Sequence, residues 1–312
     1  MAPRIVTLTL NPALDVATAT DTVRPIRKIR TTGDHIDPGG GGINVARVIH
    51  ALGGDACAVM LAGGPTGAMI GDLLDEQGVP HVMLKIAGRT RISLTVVEHE
   101  SGLEYRFVPE GPAVTEPEWR AALDLLETIA GDWLVASGSL PHGVPVDIYA
   151  QVARLAARRG MHFVLESSGA ALRAAIGCGI DLLKPSLGEL ESLLGHALTT
   201  PAQQEAEALA LVRSGGARMV ALTLGQDGAV LATADGVLRM RPPVSEVHSA
   251  VGAGDSFLAA MVLSLANGVR PAEALAWGIA AGSAATGGIG TARLSRAEVD
   301  AMHRALLALP AA

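Results

Sequence analysis

Short apolar runs alternate with longer amphipathic stretches along most of the chain. "RIVTLTL" reads as a buried strand halted at Asn11-Pro12. After "DPGGGG", residues 43–52 show helical spacing and end at Gly53-Gly54. "ACAVMLAG" then reads as a strand, "TGAMIGDLLDEQG" as a helix and "VPHVMLKI" as a strand. The rhythm continues with a helix at about 116–130, strand "DWLVASG", a helix at about 146–159, and strands "MHFVLES" and "IDLLKPS". A helix at 202–214 and strand "RMVALTLG" follow. Such alternation predicts an α/β protein, a mainly parallel sheet covered by helices on both faces.

Two segments break the rhythm. Residues 23–36 and 90–108 ("TRISLTVVEHESGLEYRFV") alternate as strands do, the second around an "ESG" turn that predicts a hairpin. Strands without intervening helices predict a small separate sheet, a lid or a dimer contact. From Val251 onward the chain reads as mainly helical. With no linker or repeat in view, residues 1–312 are expected to form one domain carrying two β inserts.

Composition narrows the function. The 312 residues are 49% hydrophobic, 18% charged and 3% aromatic with 37 glycines, which describes a folded chain with a large core. A formal net charge of −7 argues against a nucleic-acid partner. Cys57 and Cys178 have no metal-ligand spacing and read as buried free thiols in a reducing compartment. "MAPRIVTLTLNP" carries no export signal. Residues 274–292 lack charge but are mostly Ala, Gly, Ser and Thr, so a packed internal helix is expected and no membrane partner. A cytoplasmic protein is expected.

Four constellations bear on chemistry. In "DPGGGGINVAR" (37–47), four glycines before a helix let the backbone approach a ligand, though a plain loop fits the composition equally. The run fits neither dinucleotide nor P-loop spacing. Asn44, directly after it, can donate to and accept from sugar hydroxyls. Asp15 closes the loop after the first strand, either as a ligand contact or as an Asx turn. Lys28, Arg30, Arg89 and Arg91 on the inserts offer cations to a phosphorylated small molecule, or merely solvate strand faces.

In "LLKPSLGELESLL", a strand ends at Lys184, Pro185 starts a helix, and Glu189 lies one turn in. It is placed to hold a Mg²⁺-bound water or simply to complement the helix dipole. In "SAVGAGDS" (249–256), Gly252 and Gly254 allow a row of exposed amides, a nest for a transferring phosphoryl group. Asp255 in that row is placed to take a proton from an attacking hydroxyl. As a helix cap alone it would not need two glycines before it.

Together, "PGGGGINVAR", "SGSLP", "LKPSLGE", "TLGQDGA", "VGAGDSF" and "GSAAT…GT" resemble the ribokinase-like (PfkB) family of carbohydrate kinases, in order along essentially the whole chain. "TLTLNPALD" and the 90–108 segment resemble its phosphosugar branch. The resemblance implies a ribokinase-like fold with a β-sheet lid and phosphoryl transfer from MgATP to a ketohexose phosphate. Fructose 6-phosphate is the first expectation, with fructose 1-phosphate and tagatose 6-phosphate as sibling substrates. It implies Asp255 as base and the amides of Gly252, Ala253 and Gly254 as the anion hole. Asp15, Gly40, Gly41, Asn44 and Ser139 would hold the sugar, and Arg91 its phosphate. Lys28 and Arg30 would reach in from the lid or from a partner subunit. Lys184, Ser186, Glu189, Thr223, Gly225 and Gly228 fall at the ATP and Mg²⁺ end. Ser249, Val251, Ala285, Gly288 and Gly290 match a monovalent-cation region, with K⁺ expected. A homodimer through the lid is implied.

Three positions depart from the family pattern. Ser186 replaces an Asn, Glu166 an Asp, and Ala250 a Thr. They are the features on which the different-class alternative would rest, a catalytically weak sugar-phosphate- or nucleotide-binding regulatory protein. They remove neither the base nor the anion hole.

Overall fold

The computed structural model describes residues 2–243, 251–287 and 294–308. The chain begins β1 (Arg4–Thr9), β2 (Ala13–Thr20), β3 (Thr32–Gly39), α1 (Gly41–Ala51), β4 (Asp55–Ala62), α2 (Gly64–Glu76), β5 (His81–Lys85), β6 (Arg91–Glu98) and β7 (Glu104–Phe107). It continues α3 (Glu116–Leu126), β8 (Trp133–Ser137), α4 (Ile148–Arg158), β9 (His162–Glu166), α5 (Gly169–Ala175), β10 (Leu182–Leu183), α6 (Leu187–Leu194), α7 (Pro201–Arg213) and β11 (Met219–Thr223). It ends β12 (Ala229–Thr233), β13 (Gly236–Met240), α8 (Ala253–Ala266), α9 (Pro271–Ala285) and α10 (Arg296–Leu307).

The large sheet has the order β13-β12-β11-β10-β9-β8-β1-β4-β5. It is parallel from β5 to β11, and β12 and β13 add an antiparallel edge. Successive side chains of a strand point to opposite faces, so each buried strand feeds two cores. Ile5, Val135 and Val164 pack beneath α1, α2, α8, α9 and α10. Val6, Leu134 and Phe163 pack beneath α3 through α7. The expected two-faced architecture follows from that alternation.

The small sheet has the order β3-β2-β6-β7. Its β6–β7 hairpin matches the expected insert, but the first insert does not. Residues 21–31 are an exposed connection, the strand starts only at Thr32, and "DPG" belongs to it. The partner strand β2 was expected to be a loop, so Asp15 lies mid-strand and not in an Asx turn. Asn11-Pro12 is a corner between two sheets; proline ended the first pairing without ending extended structure. Two smaller expectations also shift. Ser186, not Pro185, opens α6 as its N-cap, and Cys178 is only partly buried, at the edge of the core in the turn after α5. Among the described residues no helix is long and apolar enough to cross a membrane.

Helix α10 docks through a layered contact. His303 stacks on Trp277 with ring centroids 3.7 Å apart at 4°, and the Arg296 guanidinium lies 5.5 Å from the Trp277 ring. His303 is buried and its Nε2 has no hydrogen-bond partner among the described residues. Burial holds its pKa below the ordinary histidine value, against the opposing pull of Glu273 and Asp300. The unfolded chain therefore takes up this proton first as pH falls, and the stabilisation is lost below about 6.5. Thermal unfolding should show a larger drop in Tm from about pH 7.5 to 5.5 for the wild type than for His303→Phe. Equal drops would remove His303 from the linkage.

Candidate active site

A cavity of about 270 Å³ opens where the carboxyl ends of β8 and β9 meet the small sheet. Open α/β sheets present ligand sites at such strand ends. Its walls come from five sources. Ser137, Gly138, Ser139, Glu166, Ser167 and Ser168 follow the strands, and Ala13, Asp15, Arg91, Ser93, Arg106 and Val108 come from the small sheet. Gly40, Gly41 and Asn44 come from the start of α1. Val251, Gly252 and Asp255 come from the start of α8, and Glu189 stands at the rim on α6.

Glycine at the α1 start is required by close approach. A Cβ on Gly41 would lie 1.9 Å from Ser137 Oγ, and one on Gly39 would lie 2.1 Å from Asp15 Oδ2. At α8, Gly252 is the N-cap with φ 75°, a left-handed conformation that glycine adopts freely. The next amides head a helix and lack intrahelical acceptors, at an end whose Gly252 and Asp255 line the cavity.

Asp255 occupies the third position of α8 without capping it. Asn44 Nδ2 donates to its Oδ2 at 2.9 Å instead. Burial first, then the nearby Glu166 carboxylate, pushes its pKa well above the ordinary carboxylate range, while Asn44 and Lys184 oppose the shift. Glu166 is itself fixed at both oxygens. Lys184 Nζ lies 2.6 Å from Oε1, and Ser137 Oγ donates to Oε2 at 2.8 Å. Burial lowers the Lys184 pKa, but Glu166, Glu189 and Asp255 together outweigh it and the net direction is up. Lys184 therefore stays charged.

On the opposite wall, burial raises Asp15 to about 6 against the pull of Arg106, Arg47 and Arg91. Arg91 donates to the carbonyls of Pro12, Pro109 and Asn11 at 3.4, 2.7 and 2.9 Å. Each of its terminal nitrogens carries a second N–H for a ligand. Asn11 donates to Ser139 Oγ at 3.2 Å and fixes that hydroxyl at the rim.

Not every expected residue gathers here. Lys28 and Arg30 lie on the exposed 21–31 connection, away from their own chain's cavity. Lys184 sits behind the wall, its ammonium committed to Glu166. Ser186 and Glu189 form a capping box, Ser186 N–H donating to Glu189 Oε2 at 2.8 Å and Glu189 N–H to Ser186 Oγ at 3.3 Å. Thr223 pairs with Ser186 and leads into the Gly225–Asp227 turn closed by Gly228, outside the cavity lining. Ala253 and Gly254 contribute backbone to the first turn of α8. Ala285 ends α9 in the core. Ser249, Ala250, Gly288 and Gly290 lie outside the described residues.

Residue patterns missed three contributors. Glu166 drew notice only as a departure. Ser137 and Arg106 drew none, although the alternation that places Arg91 on the hairpin also pairs Thr95 with Arg106.

An Asp15 carboxyl that titrates near 6 when folded, against 3.8 as its ordinary value, weakens the fold as pH rises through that window. At pH 7 Asp15→Asn should therefore stabilise the protein by up to about 3 kcal/mol in denaturant titrations. Destabilisation would contradict the assignment of Asp15 as a carboxylate held charged for a ligand.

The pfkB family carbohydrate kinase model matches residues 13–297. The ATP-dependent 6-phosphofructokinase isozyme 2 of Mycobacterium tuberculosis is 43% identical, over 96% of this chain and 88% of its own. Phosphofructokinase-2 from Escherichia coli, solved in complex with fructose-6-phosphate, superposes with a TM-score of 0.92 at 40% identity, over 98% and 99% of the two chains. The 1-phosphofructokinase of Rhodobacter capsulatus is 30% identical, over 93% and 92%. With the family match over most of its length and relatives above 40% identity, the chain belongs to the pfkB family of carbohydrate kinases.

Proposed function

We propose that this chain transfers the γ-phosphoryl group of ATP to the free primary hydroxyl of fructose 6-phosphate, giving fructose 1,6-bisphosphate. The observation that carries the reading is Asp255 at the amide end of α8, held by Asn44 and facing a cavity whose far wall bears Arg91 and Arg106. The stronger likeness to 6-phosphofructokinases than to 1-phosphofructokinase supports the choice of sugar.

Phosphoryl transfer needs alignment and charge stabilisation more than covalent help. Asp15, Asn44 and Ser139 orient the sugar hydroxyls, while Arg91 and Arg106 take its phosphate, Arg106 from the exposed strand β7. Asp255 accepts the proton of the attacking hydroxyl. The amides of Gly252, Ala253 and Gly254 stabilise the equatorial oxygens in flight.

Mg²⁺ bound with ATP would supply charge neutralisation on the phosphate oxygens. Among the described residues no cluster of three His, Cys, Asp or Glu forms a metal cage, which suits an ion that keeps most of its waters. Glu189 at the rim is placed to bind one of those waters. Thr223, Gly225 and Gly228 belong to the nucleotide end of this reading. Val251 and Ala285 are the described members of its K⁺ region.

The small sheet exposes Ile92, Leu103, Phe107 and Val108, an apolar surface that supports a lid-to-lid homodimer. Such a dimer offers Lys28 and Arg30 a route to the partner's cavity. Two free cysteines and small-metabolite chemistry support a cytoplasmic setting.

Coupled ADP-release assays should give the highest kcat/KM with fructose 6-phosphate, above fructose 1-phosphate and tagatose 6-phosphate. Asp255→Asn should lower kcat by about 10²–10⁴ with both KM values nearly unchanged. Full activity in that variant would sink the reading. Arg106→Ala and Arg91→Ala should each raise KM for the sugar phosphate far more than for ATP; equal effects would remove them from the phosphate site.

A further inference from the structure

Behind the glycine run, Arg47 is buried against Asp37, with side chains 6% and 4% exposed and Nη2 2.9 Å from Oδ1. The same guanidinium joins three elements, β3, its own helix α1 and the C-cap of α2. Nη1 donates to the Pro38 carbonyl at 3.1 Å and to Asn44 Oδ1 at 3.2 Å, and Nε donates to Gln77 Oε1 at 2.8 Å. Asn44 and Arg47 are three apart on α1 and so share a face. None of these contacts reaches the cavity, yet one of them touches Asn44.

Arginine has five donors and no acceptor. Only the oxygen end of the Asn44 carboxamide can meet it, so the amide end is forced to the other side. There Nδ2 donates to Asp255 Oδ2 at 2.9 Å. The Asn44 amide sits on Oδ2, which leaves Oδ1 as the carboxylate oxygen without that donor. That atom lies 3.4 Å from where a Gly41 Cβ would sit, on the side of the glycine run. Glu166 and Lys184 are the charged groups facing Asp255 from the strand ends, and neither fixes the rotation of Asn44. Asp37 and Pro38 lie on β3, so the same guanidinium ties the small sheet to the orientation of the base.

We propose that Arg47 is a positioning residue for the phosphoryl transfer, holding the Asn44 carboxamide in the one orientation that aims Asp255 Oδ1 at the attacking hydroxyl. The proposal rests on the kinase reading above. Without Arg47 the carboxamide loses the anchor on its oxygen and keeps only its contact with Asp255, so the two side chains can swing together and the base loses its aim while the nucleotide site is untouched.

The test is steady-state kinetics of Arg47→Met, Arg47→Lys and the pair Asp37→Asn/Arg47→Met, each in the wild-type and Asp255→Asn backgrounds. The paired variant removes the carboxylate that Arg47→Met would strand, so a folding failure of the single variant leaves the test intact. Arg47→Met and the pair should lower kcat at least about tenfold with KM for ATP within about twofold, and Arg47→Lys should fall between. In the Asp255→Asn background the same changes should alter the residual rate less than about twofold, because the atom being aimed is gone. Equal losses in both backgrounds, a loss confined to KM, or wild-type kcat in the pair would overturn the proposal. Those results differ from failure of the kinase reading itself, in which the wild type shows no sugar-dependent turnover or Asp255→Asn matches it.

Discussion

Two carboxylates, Asp255 and Glu166, are held beside one buried ammonium, Lys184, at the wall of the cavity. The arrangement is costly by itself, since burying charge carries a desolvation penalty that imperfect pairing does not offset. Its geometry explains much of the neighbourhood. Glu166 is clamped at both oxygens, by Lys184 at one and Ser137 at the other. Asp255, left without a counterion of its own, is held by an amide and by the positive end of a helix. A base raised in this way keeps its affinity for a proton, which is what abstraction from a sugar hydroxyl requires.

The fold supplies the rigid frame for this balance. Parallel strands end together, so Ser137 and Glu166, terminal residues of adjacent strands and paired in register, stand side by side. Helices α1 and α8 lie on one face of the sheet and bring Asn44 and Asp255 together across 211 residues of sequence. The second sheet is joined to the first at the Asn11-Pro12 corner, and the Arg47–Asp37 pair ties it to helix α1. One anchor is backbone and one is electrostatic, so the cations of the small sheet stay in register with the base. A cavity between two such bodies can change volume by moving one of them, as lids that exclude water do.

Much of this was legible in the residues, for identifiable reasons. Glycine pairs before Asn44 and Asp255 signal close backbone approach, and close approach is local. The β6–β7 hairpin was legible because alternation and an "ESG" turn are local as well. Strand β2 was not, because Pro12 punctuates a turn and a sheet-to-sheet corner in the same way. Arg106 was missed because its value comes from lying across the cavity from Asp255, which no spacing encodes. Ser186 was read as a loss relative to the family pattern. In the fold it is the N-cap of a capping box with Glu189, a role that serine fills well and that depends only on residues three apart.

The most direct test of the account is the identity of the product. ³¹P NMR of the enzyme with MgATP and fructose 6-phosphate should show ADP and a new sugar phosphomonoester at the primary hydroxyl appearing in equal amounts, without free phosphate. ADP accompanied by inorganic phosphate and unchanged sugar, or no sugar-dependent change, would contradict the claim that Asp255 and its neighbours are built to hand a phosphoryl group to that hydroxyl.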